Sequence, residues 1–160
     1  MTTNTGAQVH EVAALTQAGL LNGVSTLSAS RGLLVLSDSI NGTIWLLNTR
    51  TGAIETLVTN VTIDDFAIDV GDGYAYLAGS ALNSPLRVHL EGGEAEAVYG
   101  RVNETVLPGP TSVAIGRMGA EKGKAFVTTN YGLLAPVRGV YREVGELLRL
   151  VLVGDVDFNV

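Results

Sequence analysis

Five residues carry side chains suited to chemistry and recur at one position of a repeating pattern: Asn22, the adjacent pair Asp64 and Asp65, and the adjacent pair Thr111 and Ser112. Each stands at or just before an apolar, strand-like run. Together they offer amide, carboxylate and hydroxyl oxygens and no sulfur, because the chain contains no cysteine. Such donors suit hard divalent cations, Ca²⁺, Mg²⁺ or Mn²⁺. With an ion polarising a carbonyl, a carboxylate could activate water against it. Without one, the same groups could hydrogen-bond a reactive carbonyl while an apolar channel orients its reaction partner. Neighbouring side chains on a strand point to opposite faces, so at most one of Asp64 and Asp65 is expected to aim at a shared centre.

Each of these residues also has a plainer reading. Asparagine before Gly23 favours a left-handed turn whatever it binds, and Asp64 or Asp65 could cap a turn by accepting backbone N–H bonds. The two histidines, His10 and His89, share no ligand spacing, and His89 alternates with Val88 and Leu90 as a strand surface residue would. The triplet Ser37-Asp38-Ser39 lacks a G-x-S-x-G elbow and a partnered histidine; Asp38 reads instead as a structural bond to a neighbouring loop. Trp45, Tyr74 and Tyr76 read as packing between repeats rather than as ligand platforms.

The elements that position these residues recur in the chain. Residues 21–52 hold an Asn-Gly pair, strand patterns at 24–27, 33–36 and 43–47, and turn signals at Ser30 to Gly32, Asn41-Gly42 and Thr51-Gly52, with a fourth strand at 54–58. The same order returns from Asp64, with strand patterns at 66–70, 74–78, 86–90 and 95–99, and again from Thr111, with later strands expected at 139–144 and 147–153. Aligning Gly23, Phe66 and Ser112 gives spacings of 43 and 46 residues, the length of a four-stranded β-propeller blade. The expected fold is therefore all-β, a propeller with three four-stranded blades at about 20–60, 61–107 and 108–155 in a single domain. Residues 1–8 are expected to fray or tie down as a strand, and 9–20 to form a short helix or a lead-in loop.

Three blades leave two apolar faces open, and propellers close with about four to eight. A homodimer completing a six-bladed ring is the expectation. With 46% hydrophobic residues over 160 positions the chain can bury a core. A net charge of −6 with no basic run argues against nucleic acid and anionic membranes as partners and leaves a small molecule. No signal-peptide pattern or membrane-length apolar run is present, so the expectation is a soluble protein, cytoplasmic as written, or secretory had a signal peptide been removed. In that case the sequons at Asn41, Asn60 and Asn103 could carry glycans.

The segments LNGVSTLSASRGLLVLSDSINGTIWLLNTRTG, DDFAIDVGDGYAYLAG and PTSVAIGRMGAEKGKAFVTTN resemble the SMP-30/gluconolactonase/LRE-like family of six-bladed propellers, in particular the C-terminal half of one. In its metal-dependent members a glutamate, an asparagine in an N-G turn and an aspartate in a P-D-G turn hold a divalent cation. The resemblance implies Asn22 and Asp64 as metal ligands, although Ile63 and Asp65 stand where the proline and glycine would be and the glutamate has no matching motif. The wording NGTIWLLNTRTG, DDFA and PTSVAIGR is more similar to fungal members of natural-product pathways. Those members imply a metal-free cyclase that steers a hetero-Diels-Alder cycloaddition, with Asn22, Asp64, Asp65, Thr111 and Ser112 as site residues and no cofactor. A metal-dependent lactonase is the second implied activity, and a non-catalytic scaffold the third possibility.

Overall fold

The computed structural model describes residues 15–99, 107–133, 135–137, 139 and 145–151. Strands β1 (Leu21–Ser28), β2 (Leu33–Asp38), β3 (Thr43–Asn48) and β4 (Ile54–Val58) form sheet 1, antiparallel and in chain order. Strands β5 (Phe66–Asp69), β6 (Tyr74–Gly79), β7 (Ser84–His89) and β8 (Glu96–Ala97) repeat that order as sheet 2. Sheet 3 shows three strands among the described residues, β9 (Pro110–Ile115), β10 (Lys124–Thr129) and β11 (Glu146–Val151). No α-helix occurs among the described residues, only 3₁₀ turns at Ser80–Leu82 and Gly119–Glu121. The strand expected at 139–144, apart from Gly139, and the elements expected over residues 1–14 lie outside the described residues. Where a helix or loop was expected up to Leu20, residues 15–20 are turn and coil.

The sheets stack face to face because each strand pair presents an apolar set on both sides. Val35 and Ile44 of sheet 1 share a buried cluster with Phe66, Ile68, Ala75, Leu77, Leu86 and Val88 of sheet 2. On the opposite face of sheet 2, Tyr76 and Ala78 pack with Val113, Ala125 and Val127 of sheet 3. Tyr76 and Tyr74 thus pack between repeats, as expected from sequence. Trp45 does not: with Leu36 and Leu47 it lines the face of sheet 1 turned away from sheet 2, against Leu15 and Ala18.

Strand pairing fixes which residues are counterparts. Val24 lies opposite Leu36, Phe66 opposite Leu77 and Val113 opposite Val127. The register is therefore Val24, Phe66, Val113, one residue from the alignment on Gly23 and Ser112. The cause is an irregularity in β1 between Leu21 and Val24 and another in β9 between Pro110 and Ser112, each of which adds a residue that paired strands do not count. Asn22 and Gly23 consequently lie within β1 instead of forming a turn, and neither takes a positive φ. Glycine is needed at position 23 for another reason. A Cβ there would lie 2.8 Å from Phe66 Cε1 and 2.8 Å from Ser37 Oγ.

Candidate functional site

The inner strands β1, β5 and β9 lie against one another along one edge of the stack, and their starts bring most of the predicted polar residues together. Asp64 and Asp65 precede β5 in extended backbone, held to the end of β6 by Asp64 N–H donating to Ala78 O at 2.9 Å and Ala78 N–H donating to Asp65 O at 2.8 Å. Alternation along this segment sends the two carboxylates to opposite sides. Asp64 faces sheet 1, where Asn22 Nδ2 donates to its Oδ1 at 3.0 Å and to its backbone O at 2.7 Å. Asp65 faces sheet 3, where Ser112 Oγ donates to its Oδ2 at 2.6 Å. One strand entry thus reaches into both neighbouring sheets.

Ser39 completes the first pair. Its Oγ accepts from Asn22 Nδ2 at 3.1 Å and donates to Asp64 O at 3.2 Å. Ser39 belongs to the Ser37-Asp38-Ser39 triplet, in which no sequence pattern marks it as a site residue. Thr111 is not brought into the row. Its Oγ1 lies 3.0 Å from Thr128 Oγ1.

The same triplet builds the support under Asn22. Ser37 Oγ accepts the Gly23 N–H at 2.9 Å, replacing a ladder bond at the irregularity in β1. Asp38 is fully buried and accepts from the N–H groups of Gly19, Leu20, Ile40 and Asn41 at 2.6 to 3.1 Å, and from Asn41 Nδ2 at 3.0 Å. Burial pushes its pKa up, but the backbone bonds from Asn41, Gly19, Leu20 and Ile40 outweigh burial and hold it at about 2. Asp38 is therefore a structural anchor that ties the lead-in of β1 to the β2–β3 turn.

A second anchor shapes the rim beyond these strand starts. Asn83, buried and left-handed at φ 51°, donates from Nδ2 to Ala135 O at 2.8 Å and accepts the Gly109 N–H at Oδ1 at 2.7 Å. It pins the β6–β7 connection to the segments that flank sheet 3. Ser84 and Pro85, directly after it, already belong to β7.

At the other end of the inner strands an open cavity of about 540 Å³ is lined by Thr26, Ile68, Asp69, Asp72, Ile115 and Lys122, among others. Its carboxylates are engaged locally. Asp69 Oδ1 accepts the Gly71 N–H at 3.0 Å, and Asp72 Oδ2 accepts the Tyr76 hydroxyl at 2.6 Å. Burial, followed by the bond to and charge of Asp72, pushes the Tyr76 phenol well above its ordinary range, so it stays a donor. His89 is likewise structural, edge-on to Tyr74 at 5.2 Å and accepting the Glu91 N–H at Nδ1. The Asn22/Asp64 end is the better candidate, because Asn22, Asp64, Asp65 and Ser112, four of the five sequence-predicted site residues, meet there.

The oxygen donors present are a poor fit to a resident cation. Asn22 and Asp64 bond to each other, Asp65 is turned to Ser112, and no group of three or more His, Asp or Glu side chains is placed to hold an ion among the described residues. Hard cations of the calcium type take six to eight oxygens.

No family model matches the chain, and no curated protein matches it. Solved structures do. The gluconolactonase of Xanthomonas campestris superposes with a TM-score of 0.64 at 18% identity, over 86% of this chain and 46% of that one. A luciferin-regenerating enzyme gives 0.63 at 19% identity, over 86% and 46%. A chain of a nidogen/laminin complex gives 0.60 at 14% identity, over 85% and 49%. The gluconolactonase and the luciferin-regenerating enzyme support the SMP-30/gluconolactonase-like likeness at the level of the fold, which is that of β-propeller proteins. The present chain spans about half the length of each of these three neighbours.

Proposed function

We propose that this chain opens a cyclic ester, with Asp64 as general base oriented by Asn22. The observation that carries this is the half-committed carboxylate: Asn22 holds Asp64 Oδ1 at 3.0 Å, while Oδ2 has no partner among the described residues. A base fixed at one oxygen and open at the other can take a proton from water without reorienting. Water adds to the ester carbonyl as Asp64 accepts its proton. The ring C–O bond then breaks, and the leaving alkoxide takes the proton back, giving a hydroxy acid. Asp65 and Ser112, bonded at 2.6 Å on the adjoining seam, supply a second polar contact for the substrate's hydroxyl groups.

The fold likeness to a gluconolactonase favours this reading over the cycloaddition that the sequence wording suggested, an activity for which no neighbour described above offers support. A pH-stat assay on a sugar lactone and an aryl lactone tests it. Wild-type protein should hydrolyse at least one, and Asp64→Asn should lower kcat/KM by about 100-fold or more, the usual scale of a lost general base. Asn22→Ala should lower kcat about tenfold with KM unchanged, as loss of one orienting hydrogen bond would. Activity in Asp64→Asn equal to wild type would overturn the assignment, and activity abolished by a chelator would move it to a metal mechanism.

A further inference from the structure

The open cavity at the far end of the inner strands carries charges of both signs that do not meet. Its sheet 2 side is the end of β5 and the β5–β6 turn, with Asp69 and Asp72, and its sheet 3 side is the β9–β10 connection, with Arg117 and Lys122. Each carboxylate is fixed at one oxygen and open at the other. Gly71 N–H donates to Asp69 Oδ1 and the Tyr76 hydroxyl to Asp72 Oδ2, while Asp69 Oδ2 and Asp72 Oδ1 have no hydrogen-bond partner among the described residues. The cations are unpaired as well. Among the described residues the ion pairs are Arg87–Glu96, Lys124–Glu121 and Arg149–Glu121, so neither Arg117 nor Lys122 has a carboxylate at ion-pair distance. In a chain of net charge −6, two cations left unpaired beside two carboxylates are groups that the backbone holds apart.

That backbone is tied down on both sides. Gly73 N–H donates to Asp69 O and Leu90 N–H to Gly73 O, both at 2.9 Å, which closes the β5–β6 turn. Gly116 N–H donates to Lys124 O at 2.9 Å and Gly123 N–H to Gly116 O at 3.2 Å. A Cβ at Gly116 would collide with Glu121 O, so the β9–β10 connection folds this tightly only with glycine there. We propose that the cavity binds a small zwitterion, its anionic group held by Arg117 and Lys122 and its ammonium group by Asp69 and Asp72. Two positive and two negative groups call for a net neutral molecule with separated charges, since a simple anion or cation would answer one side only. Each end would make charge-assisted hydrogen bonds, and Ile68 and Ile115 offer apolar surface to the carbon chain between them. The volume of about 540 Å³ is that of a small-molecule site. The cavity and the Asn22/Asp64 pair lie at opposite ends of the inner strands, so the inference is independent of the hydrolase reading.

Isothermal titration calorimetry at low salt tests it, with ω-amino acids of increasing length from glycine to ε-aminocaproate as probes. Wild-type protein should bind them saturably, most tightly at the one chain length that matches the separation of the two charged sides. Butylamine and butyrate, which carry one charged group each, should bind about tenfold more weakly or worse. Arg117→Gln with Lys122→Gln should weaken zwitterion binding by about tenfold or more, with an unchanged far-UV circular dichroism spectrum because both residues are exposed. Asp69→Asn with Asp72→Asn should do the same while keeping an acceptor oxygen for Gly71 and Tyr76. Absence of saturable binding across the series would overturn the inference. So would an affinity that only rises with chain length, the signature of apolar contact, or binding that the Arg117 and Lys122 replacements leave unchanged.

Discussion

Asp38 shows how one carboxylate can govern the site without touching it. Five donors converge on its two oxygens, four of them backbone N–H groups from both sides of the Asn22 strand entry. Asp38→Ala should destabilise the chain by about 3 kcal/mol, because several buried donors lose their acceptor, and lower Tm by roughly 10 °C. The pH dependence has a definite sign. The folded pKa of about 2 lies below the ordinary 3.8, so the unfolded chain binds the proton first on acidification. The stabilisation is full above the unfolded pKa, declines as the pH falls below 3.8 and is lost once it passes about 2. Urea melts between pH 5 and 2 should show this decline in wild type, and Asp38→Asn should lack that component. Gly23 is the companion case. A methyl group would press on Phe66 and Ser37 at 2.8 Å, so Gly23→Ala should cost about 2 kcal/mol by overpacking and should lower Tm by roughly 5 °C.

At the level of strands and turns, the apolar alternation of 33–36, 43–47 and 74–78 carried enough signal to place β2, β3 and β6 to within one or two residues. It also placed four of the five candidate site residues at neighbouring strand starts. The course of β1 through Asn22-Gly23 was not legible. An Asn-Gly pair reads locally as a turn, and what keeps it extended is the Ser37 hydroxyl, 14 residues away, taking the Gly23 N–H. Ser39 and Asn83 were missed for the same reason. Their partners lie 25, 26 and 52 residues distant, and no local pattern encodes such pairings. Thr111 went the other way: adjacency to Ser112 suggested a shared role, but Thr111 is the extra residue at an irregularity in β9, and its hydroxyl lies beside that of Thr128. Trp45 read as packing between repeats because a large aromatic on a strand is most often that. Its position on the end face of the stack depends on which sheets are present.

For the whole molecule, the arrangement of sheets ranks the stability of its parts. Sheet 2 is covered on both sides by neighbouring sheets, by Val35 and Ile44 on one face and by Val113, Ala125 and Val127 on the other, while among the described residues sheets 1 and 3 each pack against one neighbouring sheet, the other face of sheet 1 being covered in part by Leu15 and Ala18. The hydrogen bonds of each sheet join strands that follow one another in sequence. A sheet at either end can therefore open without breaking the ladders of the others, as in stacked-repeat proteins. Amide exchange should reveal a gradient rather than one cooperative value. Backbone amides of Ala75, Leu77 and Val88 should exchange most slowly, and those of β1 and β11 should exchange through local opening. Deuterium should enter from the ends inward, so the middle sheet would act as the clock against which the opening of its two neighbours is timed.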